Sequence, residues 1–172
     1  EMHILSQEKG FELHLELDGI SSPQTYYRAD AFRIRQILNN LVSNAIKYTD
    51  KGSITIQAAI SPQLLLTFSV RDTGKGMTTE ARQKVFQAFT RLKSAQGIEG
   101  TGLGLNITQE LVNLLQGTLR LESVKDKGSI FTVTIPLALG TAPAAEEAEE
   151  QKPLTPVKPP FENHKILLLG PS

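Results

Sequence analysis

In Asp30-Ala-Phe-Arg-Ile-Arg-Gln-Ile-Leu-Asn-Asn-Leu-Val-Ser-Asn-Ala-Ile-Lys-Tyr48 two patterns run along one helix. Ile34, Ile37, Leu38, Leu41 and Ala45 recur at helical spacing and give it an apolar face. Asp30 is placed to cap its first turn. On the opposite side, Arg33, Gln36, Asn40, Asn44 and Lys47 fall three or four residues apart and form a polar stripe. Such a stripe is ordinarily a solvated face. Asn39, Asn40 and Asn44 argue for more, because Asn is a poor helix former and a solvent face is better served by Glu, Lys or Gln. An amide oxygen is a hard, neutral ligand suited to Mg2+, which keeps most of its waters. Lys47, one turn further on, suits a phosphate. The ridge therefore reads as a candidate Mg–nucleotide site.

Working outward, the periodicity predicts the remaining elements. Residues 1–9 read as the tail of a helix that begins upstream. Phe11–Leu17 alternates strictly, as a strand with one wet face. Tyr26–Arg28 is a short strand. Ser53–Ile60 and Leu64–Arg71 form a hairpin around Ser61-Pro62, and Thr118–Val124 and Ser129–Ile135 form a second over Lys125–Gly128. Thr78–Phe89 is a short helix capped by Thr78, 90–101 is a loop, and Gly102–Gln116 is a helix ending before Gly117. Helices and antiparallel strands come mixed, without strict βαβ alternation. The expected class is α+β: a two-layer α/β sandwich whose mixed, mostly antiparallel sheet carries helices on one face.

Two further stretches carry chemistry. Asp72-Thr-Gly74-Lys-Gly76-Met77 follows directly on a strand. It can be a plain turn. It can also be a place where two glycines admit a ligand to the backbone while Asp72 presents an acceptor. A buried carboxylate needs a donor partner, and the exocyclic amine of adenine is one. Gly97-Ile-Glu-Gly100-Thr-Gly102-Leu-Gly104-Leu105 places four glycines in eight residues, the last two entering a helix. Each helical Gly costs about 1 kcal/mol relative to Ala, so something must offset it. A Gly-rich approach to a helix N-terminus is an anion cradle. A P-loop, a dinucleotide-binding fingerprint and the eukaryotic-type protein kinase motifs are all absent.

Composition bounds the alternatives. The chain has 172 residues, 18 Lys+Arg and 18 Asp+Glu, so its formal charge is zero. That argues against a general nucleic-acid binder. The absence of cysteine removes disulfides, thiolate metal sites and thiol catalysis. Glu1–Gly10 does not read as a signal peptide, and no apolar run reaches the roughly 18 residues a transmembrane helix needs. A cytoplasmic location is therefore expected. Residues 138–163 hold five of the nine prolines and the run Glu146, Glu147, Glu149, Glu150, and read as a semi-extended linker. Residues 1–137 carry 15 Lys+Arg against 13 Asp+Glu, so the folded unit stays near neutral without the linker. Lys165-Ile-Leu-Leu-Leu169 then looks like the first strand of a further domain, begun and cut short within 164–172.

It is the order of the motifs that is specific. Residues 10–137 resemble the catalytic, ATP-binding domain of sensor histidine kinases, within the wider family of gyrase, heat-shock-chaperone and mismatch-repair ATPases. Ile37–Thr49 looks like the N box, Val70–Met77 like the first Gly box, Val85–Arg91 like the F box and Gly100–Leu105 like the second Gly box. The resemblance implies the Bergerat ATP-binding fold, with ATP and Mg2+ held between the Asn helix and a lid. It implies that Asn44 is the Mg2+ ligand and Asn40 the polar residue one turn before it. Lys47 and Arg91 would contact phosphates, and Tyr48 the nucleoside. Asp72 would read adenine, with Gly74, Gly76 and Met77 shaping its pocket. Gly100, Thr101, Gly102, Leu103 and Gly104 would form the lid hinge and phosphate cradle. In the hydrolases of the wider family a Glu stands where Asn40 does and orients water. Asn40 is a poor general base, which favours phosphoryl transfer over hydrolysis. The catalytic set implied is Asn40, Asn44, Lys47 and Arg91.

The family's phosphoacceptor His lies on a separate dimerisation domain and is followed by an acidic residue. His3, His14 and His164 do not match that pattern, so the acceptor is expected upstream and the piece in hand is expected to be monomeric. The linker and 164–172 resemble the junction to a receiver domain of a hybrid kinase. Gly170-Pro-Ser172 stands where receivers carry an acidic pair, so a receiver there is expected to lack it. The parent is expected to be a membrane-bound two-component sensor whose cytoplasmic part includes this domain. It would feed a receiver or response regulator and bind no nucleic acid. Two alternatives stand beside this: a nucleotide-binding regulatory module without transferase activity, and an ATPase of the same superfamily.

Overall fold

The computed structural model describes residues 11–18, 25–87 and 103–141. The expected helix tail at 1–9, the end of the Thr78 helix at Phe89, the loop 90–101, Arg91, Gly100, Thr101, Gly102, the linker beyond residue 141 and the strand near 165 lie outside them.

The elements are β1 (Phe11–Asp18), β2 (Tyr26–Arg28), α1 (Ala31–Tyr48), β3 (Gly52–Ile60), β4 (Leu65–Asp72), α2 (Thr79–Lys84), α3 (Gly104–Leu114), β5 (Thr118–Val124), β6 (Gly128–Pro136) and β7 (Ala138–Gly140). Five strands make one sheet in the order β1-β3-β4-β6-β5. Within it β1 and β3 run parallel, while β3–β4, β4–β6 and β5–β6 are antiparallel. The expected two-layer α+β sandwich is what forms.

Period-2 alternation explains why one face is covered. Leu66, Phe68 and Val70 of β4 pair with Ile135, Val133 and Phe131 of β6, and all six turn to the same side. They meet Ile37, Leu41, Val42 and Ala45 of α1 and Val112 of α3 in one core. Asp72 is the next residue of that inward row and pairs with Ser129. The apolar stripe thus ends in a carboxylate that is only 6% exposed. On the other face Thr67, Ser69, Thr132 and Thr134 cover the middle strands, and His14 lies exposed 3.3 Å from Glu12.

Boundaries differ from the expectation in three places. β7 pairs antiparallel with β2, so structure continues three residues into the stretch read as linker. The Thr78 helix is helical only to Lys84, after which Val85–Gln87 turn. α3 begins at Gly104, not Gly102, and its last turn is closed by Gln116 in the left-handed region, φ 55°. Gly117 serves packing instead: a Cβ there would fall 2.5 Å from the Thr134 carbonyl oxygen.

Candidate functional site

Asp72 sits where four segments converge: the end of β4, the C-terminus of α1, the Asp72–Met77 loop and the β5–β6 hairpin. Burial pushes its carboxyl above the ordinary range. The backbone N–H of Gly74 (2.9 Å to Oδ1) and the backbone and hydroxyl of Ser129 pull the other way, by hydrogen bonding the carboxylate. The glycines expected to admit a ligand are occupied by the protein's own backbone. At Gly74 a Cβ would fall 2.2 Å from the Tyr48 carbonyl oxygen, and Lys75 N–H donates to that same oxygen at 3.2 Å. At Gly76, φ +56°, a Cβ would fall 2.0 Å from the Val124 carbonyl oxygen. The glycines clamp the loop between α1 and the hairpin, and thereby aim Asp72. Met77 is partly buried against the core beside it.

The α1 stripe divides into three. Arg33 pairs with Asp30, which also caps the helix by accepting from Arg33 N–H at 2.9 Å. Gln36 is exposed. Asn40 is drawn inward: its Nδ2 donates to the Gly104 carbonyl and, at 2.5 Å, to Thr108 Oγ1. Asn40 thus joins α1 to the first turn of α3. Its Oδ1 packs against Gly104 as well: a Cβ there would fall 2.4 Å from it.

Asn44 lies one turn further along, and among the described residues its Nδ2 is buried without a hydrogen-bond partner. Thr49, the C-cap of α1, is 0% exposed and its hydroxyl is likewise unpartnered. Each such atom costs about 1–3 kcal/mol in a ligand-free fold, and together they mark a place built for polar company. A half-turn of the Asn44 amide exchanges nitrogen for oxygen, so the position can offer a carbonyl to a cation or an N–H to a phosphate. That donor set fits Mg2+ bound alongside a phosphate. Lys47 Nζ lies 5.7 Å from the Tyr48 ring centroid, held over the aromatic face.

α3 opposes this ridge. Leu103 occupies its N-cap without a side-chain cap, and the first helical hydrogen bond is Ile107 N–H to the Leu103 carbonyl. The N–H groups of its first turn therefore have no intrahelical partner. Of the expected site residues, Asn40, Asn44, Lys47, Tyr48, Asp72, Gly74, Gly76, Met77, Leu103 and Gly104 are placed around α1, the β4 end and the start of α3.

Four residues of the site escaped the sequence reading: Thr49, Thr108, Ser123 and Ser129. Three of them carried a signal. Thr108 stands at a core position of an otherwise apolar α3 face, between Leu105 and Val112. Ser129 extends the inward series Ile135, Val133, Phe131, and Ser123 extends Leu119, Leu121. A polar residue at an inward position is the cue.

A profile of the "Histidine kinase-, DNA gyrase B-, and HSP90-like ATPase" family matches residues 29–139. The chain belongs to that family. The sensor protein EvgS of Escherichia coli K12 is 33% identical over 138 residues, covering 77% of this chain and 12% of EvgS. The autoinducer 2 sensor kinase/phosphatase LuxQ of Vibrio vulnificus YJ016 is 36% identical over 164 residues, covering 90% of this chain and 18% of LuxQ. Among solved structures, full-length ShkA in complex with AMPPNP superposes with a TM-score of 0.69 at 31% identity, over 83% of this chain and 29% of that one. The nucleotide-free catalytic domain of histidine kinase ThkA gives 0.62 at 30%, over 78% of this chain and 87% of that one. The chain thus matches almost all of an isolated histidine kinase catalytic domain, but spans less than a quarter of the length of those curated relatives.

Proposed function

We propose that this chain is the Mg–ATP-binding catalytic domain of a hybrid sensor histidine kinase, and that it transfers the γ-phosphoryl group of ATP to a histidine on a separate dimerisation domain. Asp72 accepts the exocyclic amine of adenine. Tyr48 contacts the nucleoside, while Lys47, Arg91 and the N-terminus of α3 hold the phosphates. Asn44 holds Mg2+, which supplies charge neutralisation on the triphosphate. The acceptor imidazole nitrogen attacks the γ-phosphorus, the bond to the β,γ-bridging oxygen breaks, and ADP leaves. Little covalent work falls to the protein; positioning and charge neutralisation carry the step.

The observation that supports transfer over hydrolysis is the commitment of Asn40. Its amide nitrogen is bound to a carbonyl, and the α1 stripe offers no carboxylate to orient water. For partners, we infer an acceptor domain upstream and a receiver downstream. The likeness to LuxQ, at 90% of the chain, reaches past the folded unit into the segment beyond residue 141. Among the described residues no helix is long and apolar enough to cross a membrane, so anchoring in a membrane sensor would come from other parts of the parent. The test is incubation of γ-labelled ATP and Mg2+ with this chain and an intact acceptor domain. Acid-labile, base-stable label on His is expected. Binding without label would leave a nucleotide-sensing module, and steady phosphate release by the chain alone would indicate an ATPase.

A further inference from the structure

β6 and β5 continue the inward row beyond Asp72 with two buried hydroxyls. Ser129 pairs with Asp72 across β4–β6, and Ser123 pairs with Ser129 across β5–β6. Ser123 Oγ lies 3.0 Å from Ser129 Oγ and 3.1 Å from the Gly128 carbonyl oxygen. The hairpin is pinned against β4 here: at Gly128, φ +102°, a Cβ would fall 1.9 Å from the Asp72 carbonyl oxygen. The atoms thus form a short chain: Asp72 carboxyl, Ser129 hydroxyl, Ser123 hydroxyl, Gly128 carbonyl.

Each hydroxyl has one proton, so the chain has two directions. When Asp72 is ionised, Ser129 donates to it, and Ser123 can donate to Ser129 or to Gly128 but not to both. When Asp72 carries a proton, it donates to Ser129, Ser129 donates to Ser123, and Ser123 donates to Gly128. Every member is then satisfied. We propose that Ser123 is a positioning residue for Asp72: the two-serine chain takes up the proton of the neutral carboxyl, and so sets the pH below which that carboxyl ceases to meet the 6-amino group of adenine as an ionised acceptor. This rests on the nucleotide-binding reading, and adds a residue two hydrogen bonds away from Asp72 and three from the base.

No charged side chain balances Asp72 among the described residues; burial and neutral hydrogen bonds account for its position on the pH scale. The charged groups on the elements around it are engaged or averted. Lys75 pairs with Asp50 at 3.1 Å, and Lys47 stands over Tyr48. Arg71 and Glu122 lie on the other sheet face, and Lys125, Asp126 and Lys127 lie in the exposed turn. β3 brings Ile54 alongside. Proton direction in the serine chain is therefore free to act without an ionic competitor.

Ser123→Ala strands the Ser129 proton when Asp72 is neutral, but costs the ionised state only an incoming bond. The Asp72 titration midpoint, read from its carboxyl 13C shift in the ligand-free chain, should fall by about one pH unit. Ser123→Thr, which keeps the hydroxyl, should restore it. Ser123→Cys, of similar volume and a weak donor, should fall in the same direction and serves if the Ala variant does not fold. A midpoint unchanged or raised in Ala and Cys overturns the proposal. A second arm measures Mg–ATP affinity against pH. Ser123→Ala should retain ATP to lower pH, whereas a pH profile equal to wild type would again overturn it. Failure of the wild-type chain to bind ATP would count against the proposed function, while the carboxyl titration still decides the role of Ser123.

Discussion

Asn40→Asp changes one heavy atom and almost no volume, yet it should loosen the join between α1 and α3. In the native chain Nδ2 donates to two acceptors, Gly104 O and Thr108 Oγ1. A carboxylate can recover the second, because the Thr108 hydroxyl can turn and donate. It cannot recover the first, since a carbonyl only accepts. One hydrogen bond is lost, worth about 1 kcal/mol, and a partly buried anion is left facing a carbonyl, which roughly doubles or triples the cost. A loss of about 2–3 kcal/mol lowers the melting temperature of a domain this size by roughly 10 °C. The repulsion disfavours the charged form, so the folded-state pKa of the introduced carboxyl rises. The deficit should therefore be small below the ordinary Asp range near 3.9 and grow as pH rises through the raised value. Thermal melts of variant and wild type from pH 4 to 8 read this, and amide exchange in α3 locates it. A variant that melts within about 2 °C of wild type at pH 7, with unchanged exchange at Gly104–Thr108, would refute the role given to the Asn40 amide.

Asp72→Asn should bind ATP about 100-fold more weakly, because Gly74 N–H keeps the remaining oxygen and the new NH2 opposes the adenine amine; calorimetry reads the loss. The same variant should be more stable than wild type at pH 7 without nucleotide. Burial raises the Asp72 pKa, so its contribution is full below the ordinary carboxylate range and lost as pH rises through the raised value. Asn44→Ala should abolish Mg-dependent nucleotide binding while leaving the ligand-free melting temperature equal or slightly higher, since it removes an unpartnered buried amide and improves helix propensity. Gly74→Ala should destabilise by about 1–3 kcal/mol or more in denaturant melts, because its Cβ must displace the Tyr48 carbonyl from the end of α1.

Most of the fold was legible in the chain because its signals are local. The α1 face, both hairpins and the Asp30 and Thr78 caps follow from period and capping chemistry within a few residues. The parallel pairing of β1 with β3 and the β2–β7 pair join residues far apart, and nothing in either segment names its partner. β7 is only three residues long and opens a Pro- and Glu-rich stretch, so composition alone placed it in the linker. In the site, residue types were readable and directions were not. The stripe on α1 suggested that Asn40 and Asn44 face one ligand. Packing of α3 against α1 turned the Asn40 nitrogen into a structural tie and left Asn44 without one. Likewise Gly74 and Gly76 announced a close approach, but only the fold shows that backbone, not ligand, makes it.

That division between tied and untied polar groups separates two kinds of site residue by the sign of a single measurement. Asn44 Nδ2, Thr49 Oγ1 and the Asp72 carboxyl are buried at a cost the ligand-free fold does not recover. Replacing them with groups that demand less should hold or raise stability while affinity falls. Asn40 is satisfied by protein, so replacing it should lower stability before any nucleotide is added. A nucleotide that binds the folded state stabilises it more as its concentration rises above Kd. Addition of Mg–ATP should thus raise the wild-type melting temperature, raise that of Asp72→Asn much less, and fail to raise that of Asn44→Ala. For Asn40→Asp it should restore part of what the mutation took, because a nucleotide that binds only the folded state stabilises it. If Mg–ATP raised the Asn44→Ala melt as far as wild type, the orphaned amide would have no ligand to explain it.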